Sequence, residues 1–520
     1  MTQQTPKYPI GVQSFEKIRT DGYVYVDKTA LIWKLINNGN AYFLSRPRRF
    51  GKSLLLSTIE AYFRGQKELF HGLAISEYET QWTEYPVIHI DLNAQLYDAV
   101  EALEFTITRQ LRDFAESVGV ELSAEGSVAD KFIELLKNTY RKTGRQAVVL
   151  IDEYDKPLIG NIDDNDLYNH LQQTLKAFYG ALKSCDAYIR FAMLTGVARF
   201  SKVSVFSDLN NLNDISLDEQ YNSICGITES ELDRYFMQSM HALAERRKMT
   251  QPQVKAELKK CYDGYHFSEP EFTENIYNPF SLLNCLAKKD FGDYWFESGT
   301  PTFLIKMLVR DGADFSKLSF EMDENELKGV NVPENSVKSL LYQTGYVTIK
   351  SFNPRFRIYT VGIPNAEVRT GLYRMSFVVY GGGNDAEFGI SSFLADLRNG
   401  NVDAFIERLK ALIANIPYEQ ARQSEATYHN VLFLLFTMLG YRTESEHHMS
   451  HGRCDLMVKT DRIIYLFEFK YDGSAEEAMR QINDRQYDAP YRADGRKIIK
   501  IGINFSSADR NIDSWIVEKS

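Results

Sequence analysis

Cysteine is scarce in this 520-residue chain: the five that occur, Cys185, Cys225, Cys261, Cys285 and Cys454, are scattered, odd in number and never spaced as C-x-x-C. That excludes a disulfide framework and fits a reducing compartment with free, mostly buried thiols. No apolar run approaches the roughly 20 residues of a membrane-spanning helix, so no membrane partner is expected. The first residues, Met1 to Lys7, are polar and lack the apolar core of a secretory signal. The expected location is therefore cytoplasmic. An excess of basic charge is also missing: 60 Lys and Arg against 70 Asp and Glu leave a net charge of −10. A protein that coats nucleic acid non-specifically is basic, so any such contact here must be a local groove. What remains is an ordinary globular composition, 44% hydrophobic and 25% charged. At roughly 100–200 residues per domain, two or three domains are expected.

The chain is organised around residues 41–56. A short apolar run, Ala41 to Leu44, leads into a loop that ends in Gly51-Lys52-Ser53, and a helical pattern follows through Leu54, Leu55, Ile59 and Phe63. That order is strand, phosphate loop, helix. Such a loop, here Arg49, Phe50, Gly51, Lys52, Ser53 and Leu54, turns backbone N–H groups toward a polyphosphate. Lys52 would reach the β- and γ-phosphates and the Ser53 hydroxyl would hold Mg²⁺. The helix adds its positive N-terminal end. Arg46, followed by Pro47, stands where the usual pattern has its first glycine. The tripeptide alone also suits a helix start with an exposed Lys and a capping Ser, so the downstream chain decides.

A second strand is expected over Tyr85–Asn93, where His89 inside the apolar run reads as a satisfied core histidine. Helical spacing covers 99–118 and 127–141. The run from Ala147 to Ile151 reads as a buried parallel strand. It ends in Asp152-Glu153, where open α/β sheets place ligands. Asp152 is expected to hold Mg²⁺ with Ser53, and Glu153 to polarise the attacking water. A fourth strand, from Tyr188, ends near Thr195, placed to sense the γ-phosphate; Arg199 in the following loop is placed to stabilise charge on it.

Three stretches in combination, Arg46-Pro47-Arg48-Arg49-Phe50-Gly51-Lys52-Ser53, Leu150-Ile151-Asp152-Glu153-Tyr154-Asp155 and Thr195-Gly196-Val197-Ala198-Arg199-Phe200-Ser201-Lys202 with Leu209-Asn210-Asn211-Leu212, resemble the bacterial AAA-ATPase-like family. In that family the Arg-Pro-Arg-Arg-Phe form of the loop is the norm. The resemblance implies a P-loop ATPase core, a helical lid and a C-terminal PD-(D/E)XK nuclease-like domain. Residues 215–310 read as mostly helical, with helix starts at Thr228 and at Asn278-Pro279. Residues 311–400 read as a linker with a short strand pair, 346–350 and 355–361, and a flexible break at Gly381-Gly382-Gly383-Asn384.

From Glu425 the pattern changes to an apolar helix, then a histidine-bearing stretch (His447, His448, His451, Cys454), then two strands, Leu456–Lys459 and Ile463–Lys470. Glu468 and Lys470 alternate onto one strand face, with Phe469 on the other. Counting back from a two-residue turn at Asp461-Arg462 puts Asp455 opposite Glu468. Two carboxylates can hold Mg²⁺, and Lys470 can orient a water that attacks phosphorus. Glu425 is a candidate third carboxylate; Gln481 and Tyr487 on the next helix are candidates to steady the water or substrate. The arrangement resembles the PD-(D/E)XK fold, with Glu425, Asp455, Glu468 and Lys470 at its motif places. Zinc on the histidines and Cys454 is the rival reading, on irregular spacing.

The expectation is an α/β protein: a P-loop NTPase parallel sheet in 1–215, a helical lid in 216–310, a linker in 311–400 and an α/β PD-(D/E)XK nuclease-like domain in 401–520. ATP and Mg²⁺ are the expected cofactors. Nucleic acid, DNA first, is the expected partner, and homo-oligomerisation is left open. The alternative is an ATPase switch whose C-terminal domain only binds nucleic acid or protein.

Overall fold

The computed structural model describes residues 6–93, 95–162, 164–198, 212–297, 302–310, 313–329, 337–380, 390–416, 425–439, 442–449 and 452–519. The chain divides into two compact units, Met1–Ser298 with Ser319–Glu367, and Gly299–Leu318 with Val368–Ser520.

The first unit is built on a five-stranded parallel sheet: β1 (Ala41–Ser45), β2 (Val87–Asp91), β3 (Ala147–Asp152), β4 (Ile189–Gly196) and β5 (Asn213–Asp214), in the order β2-β3-β4-β1-β5. Every residue of β3 is buried, as its unbroken apolar run requires. Helices Val100–Val118, Val128–Thr143 and Asn165–Ser184 lay Leu103, Ile107, Leu111, Phe132, Leu135, Leu175 and Phe178 into one core with the sheet. Each such fully buried large side chain contributes about 1.5–3 kcal/mol relative to exposure. His89 is satisfied, as expected: its Nδ1 lies 2.7 Å from Glu60 Oε2.

The helical stretch 215–310 begins where the caps are. Thr228 forms a capping box with Glu231 ahead of helix Glu229–Arg247, Thr250 one with Gln253 ahead of Gln251–Tyr262, and Asn278 caps Pro279–Lys288. Further on, the expected strand pair is present as β7 (Thr348–Asn353) and β8 (Ile358–Gly362). A third strand, β6 (Ser319–Asp323), pairs with β8 to give the order β6-β8-β7. The stretch 311–400 is thus shared between the two units. Gly381 to Asn384 lie outside the described residues.

The second unit is a mixed sheet, β13-β12-β11-β10-β9, of β9 (Arg442–Met449), β10 (Gly452–Lys459), β11 (Ile463–Tyr471), β12 (Lys497–Ser506) and β13 (Asn511–Lys519). β11 and β12 are parallel and joined through helix Ala475–Asp484; the other pairs are antiparallel. Helix Glu425–Met438 buries Leu432, Leu434, Leu435 and Phe436. Among the described residues no helix is long and apolar enough to cross a membrane.

Candidate functional site

The phosphate loop turns on Gly51, whose φ of 97° lies in the left-handed region that favours glycine. Helix Lys52–Phe63 begins at the next residue. Arg46 has a different role from the glycine it replaces. Its guanidinium is buried and donates to Ser45 O (2.9 Å), Ser216 O (2.8 Å) and Tyr221 O (3.2 Å), and it lies 4.1 Å over the Phe267 ring. The loop is therefore tied to the segments behind it by a side chain. Lys52 is also buried. Its Nζ donates to Arg46 O (3.1 Å) and Pro47 O (3.3 Å) and lies 3.6 Å from Glu153 Oε1.

Behind that pair, Asp152 Oδ1 accepts hydrogen bonds from the Thr195 hydroxyl (2.6 Å) and the Glu153 N–H (3.0 Å). Thr195 is fully buried and its hydroxyl is committed to Asp152. Asp155, also fully buried, accepts from the Val197 N–H (2.9 Å) and the Ala198 N–H (2.5 Å) through Oδ2. Its Oδ1 has no hydrogen-bond partner. Burial first, and then the negative charge of Glu153, push its carboxyl up to about 7.

A cavity of about 310 Å³ opens on the loop, lined by Gly51 and Leu54 and, on its polar side, by Arg48, Arg49, Lys52, Ser53, Asn93, Glu153 and Lys156. Pro9, Ile10, Val12, Pro279, Phe280 and Leu283 supply its apolar wall, and the Arg49 guanidinium sits 5.1 Å over the Phe280 ring. Asp152 and Thr195 do not line this cavity, and Phe50 turns its side chain away, edge-on to Tyr265 (4.9 Å) and Phe267 (5.4 Å). Any part Phe50 takes in phosphate binding is limited to its backbone. Arg48, Lys156 and Asn93 were not read from the sequence. A signal existed for two of them: Asn93 follows the end of β2, and Lys156 follows the acidic end of β3, the sheet edge where ligands bind.

In the second unit, Leu456 pairs with Phe467 and Lys459 with Ile464. One step further puts Asp455 opposite Glu468, the register expected from the two-residue turn. The Phe469 N–H donates to Asp455 Oδ2 (2.9 Å). Lys470 Nζ donates to Gln481 Oε1 (2.7 Å) and lies 3.4 Å from Glu468 Oε1; Gln481 Nε2 donates to Glu468 Oε1 and to the Tyr487 hydroxyl (3.3 Å). All five residues form one cluster. Glu468 is 1% exposed and its Oε2 has no hydrogen-bond partner. Burial, and then the charge of Asp455, push its carboxyl up to about 8. The close approach of helix Ala475–Asp484 depends on Gly502, which pairs with Glu468 in register. A Cβ there would come within 2.7 Å of Ala475 O and 2.8 Å of Met479 N.

A family model described as "Predicted AAA-ATPase" matches residues 9–206, and one of the PD-(D/E)XK nuclease superfamily matches residues 423–515. A protein of Azotobacter chroococcum mcd 1, described as an uncharacterized protein in vnfD 5'region, is 36% identical over 527 residues, across 98% of this chain and 99% of its own. The chain belongs to the AAA-ATPase-like family with a C-terminal PD-(D/E)XK domain. Among solved structures, Cdc6p from Pyrobaculum aerophilum is 12% identical, with a TM-score of 0.26, covering 72% of this chain and 96% of its own. The Aeropyrum pernix ORC2 protein is 11% identical, with a TM-score of 0.26, covering 67% and 91%. Likeness this distant carries no argument about the chemistry.

In the AAA-ATPase-like domain, Arg199 lies outside the described residues. In the PD-(D/E)XK domain, Glu425 opens its helix as expected, but its side chain is not described. Tyr487 lies three residues beyond the end of its helix rather than on it. The zinc alternative loses its thiolate: Cys454 is buried, donates to Leu456 O and Phe467 O, and burial pushes its thiol up. His447 and His448 lie on β9 and His451 lies outside the described residues. Among the described residues no group of three His, Cys, Asp or Glu side chains is placed to hold an ion.

Proposed function

We propose that the first unit binds and hydrolyses ATP and that the second cleaves phosphodiester bonds in nucleic acid with Mg²⁺, DNA being the expected substrate. The observation that carries the second half is the buried, unpartnered Glu468 Oε2 beside Asp455, Lys470 and Gln481. Carboxylate oxygens of this kind suit a hard divalent cation. Asp455 and Glu468 would hold it, with Glu425 as the third candidate. The ion would offset charge on the phosphate and favour ionisation of water. Lys470, held by Gln481, orients the attacking water.

For ATP the fit rests on the glycine turn, the four cations of the cavity wall and its apolar side. Lys52 exchanges Glu153 for the phosphates. Glu153 is then free to accept a proton from water, and Asp152 with Ser53 would hold Mg²⁺. Arg199 stabilises charge on the γ-phosphate, and Thr195 acts through Asp152. In this reading 1–215 is the nucleotide core, 216–310 its lid, 311–400 the connection and 401–520 the nuclease, in a cytoplasmic protein with homo-oligomerisation as its open partner state.

The test incubates the full chain with DNA and with RNA, with and without ATP and Mg²⁺. Cleavage that needs the metal and is lost in Glu468→Gln supports the reading. Binding without cleavage under every condition would return the second unit to a binding module.

A further inference from the structure

The hairpin between β7 and β8 ends in Asn353-Pro354-Arg355-Phe356-Arg357, which the functional reading above leaves unused. Asn353 Oδ1 accepts from the Arg355 N–H (3.1 Å) and the Phe356 N–H (3.4 Å), so one side chain organises the turn. Below it the Phe352 and Tyr359 rings pack 4.4 Å apart across the two strands. The base of the hairpin is pinned as well: the Thr348 hydroxyl accepts from the His266 N–H (2.8 Å) and donates to His266 O (3.0 Å). At the tip Phe356 is 63% exposed. Single exposed apolar residues are common and need no explanation. This one differs in its company, because the Arg355 guanidinium lies 5.3 Å from its ring.

The charges around the tip are sorted. Arg357 pairs with Glu324 (2.5 Å), which also takes Lys328; burial and then the charges of Glu219 and Glu271 push the nearby Glu269 carboxyl up, with Arg357 acting against them. Among the described residues no carboxylate pairs with Arg355. Arg355 and Phe356 are both left exposed at the tip, in a turn where Arg357 takes a left-handed φ of 54°. The hairpin follows two short helices, Glu324–Leu327 and Val337–Thr344, linked by the Ser339 hydroxyl donating to Glu326 O (2.8 Å). The hairpin is part of the three-stranded sheet β6-β8-β7, and β-strands presented at a turn are among the elements that reach into nucleic-acid grooves.

We infer that this tip is a nucleic-acid contact of the first unit, with a base or exposed base step stacked on Phe356 and a backbone phosphate on Arg355. Every base has a face to stack, so the contact is tolerant of sequence, and stacking on one aromatic is worth ~1–3 kcal/mol. A single cation at one tip also reconciles nucleic-acid binding with a net charge of −10. The contact is separate from the carboxylate cluster, which belongs to the other unit.

The test uses the full-length protein in EDTA, so that nothing is cut. A photo-crosslinking benzoylphenylalanine at position 356 should attach to labelled single-stranded or duplex oligonucleotides, and the same group at Tyr140, an exposed position in another part of the unit, should not. Fluorescence anisotropy should show Phe356→Ala weakening binding roughly 5–150-fold. Arg355→Ala should reduce the slope of log affinity against log salt by about 0.7–0.9. ATP turnover in both variants should match wild type, which reports that the unit is folded. Crosslinking to protein alone, or no oligonucleotide crosslink above the Tyr140 control with unchanged affinity, overturns the inference in favour of a protein contact or a bare turn. Because cleavage is not measured, the outcome is independent of whether the carboxylate cluster is a nuclease.

Discussion

Lys52 Nζ lies 3.6 Å from Glu153 Oε1, so the cation proposed to meet phosphate and the carboxylate proposed to activate water neutralise one another in a largely buried place. Removing either changes the other. Lys52→Ala should weaken ATP binding by roughly 10–150-fold, the loss of one charge-assisted hydrogen bond, and it also leaves Glu153 facing the polyphosphate uncompensated. Glu153→Gln should keep or tighten binding and lower turnover by ~10²–10⁴-fold. The double variant should bind ATP better than Lys52→Ala alone, and a double-mutant cycle on fluorescent ATP reads that coupling. Additive effects would mean the two residues do not share the site.

Arg46 makes the opposite prediction from a motif comparison. Restoring the usual glycine, Arg46→Gly, removes three hydrogen bonds from a buried guanidinium and a ring contact. It should lower stability by on the order of 3–5 kcal/mol and reduce nucleotide binding with it. Denaturant midpoints with and without nucleotide check this. A more stable, binding-competent glycine variant would show that the side chain is dispensable.

Asp155 predicts a pH dependence. Its ordinary value of 3.8 is raised to about 7 in the fold, so the folded state holds the proton that the unfolded state releases. Its contribution to stability is fully present below about pH 4 and is lost as pH rises toward 7. Relative to Asp155→Asn, wild type should therefore lose stability between those values and run parallel above them. Urea midpoints at matched pH test the sign. A wild type that gains on the variant with rising pH would contradict it.

In the second unit, Glu468→Gln should abolish Mg²⁺ or Mn²⁺ binding measured by calorimetry, because an ion of this kind needs several oxygen ligands. Lys470→Ala should retain the ion and lose cleavage by ~10²-fold or more. Gln481→Ala should fall between them, since it holds both Lys470 and Glu468. ATP affinity should not change in any of the three. If Lys470→Ala also loses the metal, the lysine serves the site's fold and not its water.

Much of this was legible in the sequence. β1 to β4 announce themselves as apolar runs that end in polar residues, and the turn at Asp461-Arg462 was enough to put Asp455 against Glu468. What was not legible has physical reasons. Arg46 is a charged loop residue, and two distant backbone carbonyls, of Ser216 and Tyr221, and a ring from residue 267 enclose it. β6 mixes Ser, Glu and Asp with two apolar residues and is mostly exposed or half-buried, so its pairing with β8 leaves little pattern. β5 is two polar residues long. The apolar wall of the cavity at the Gly51 loop joins Pro9 to Phe280, which no local periodicity connects.

Gly502 has a consequence of another kind. It carries no chemistry, yet it sets the gap between the helix bearing Gln481 and the strand bearing Glu468. That gap acts as a gauge block: its thickness fixes the reach of every polar group across it. A single methyl there would lift the helix by a fraction of an ångström and leave all five side chains of the cluster present but out of register with one another. Gly502→Ala should thus impair cleavage while preserving every functional group, with metal binding weakened and not lost. A site assembled this way has its tolerance written into its packing, and a search for essential residues that weighs only acids, bases and amides would pass over the position that holds the dimension.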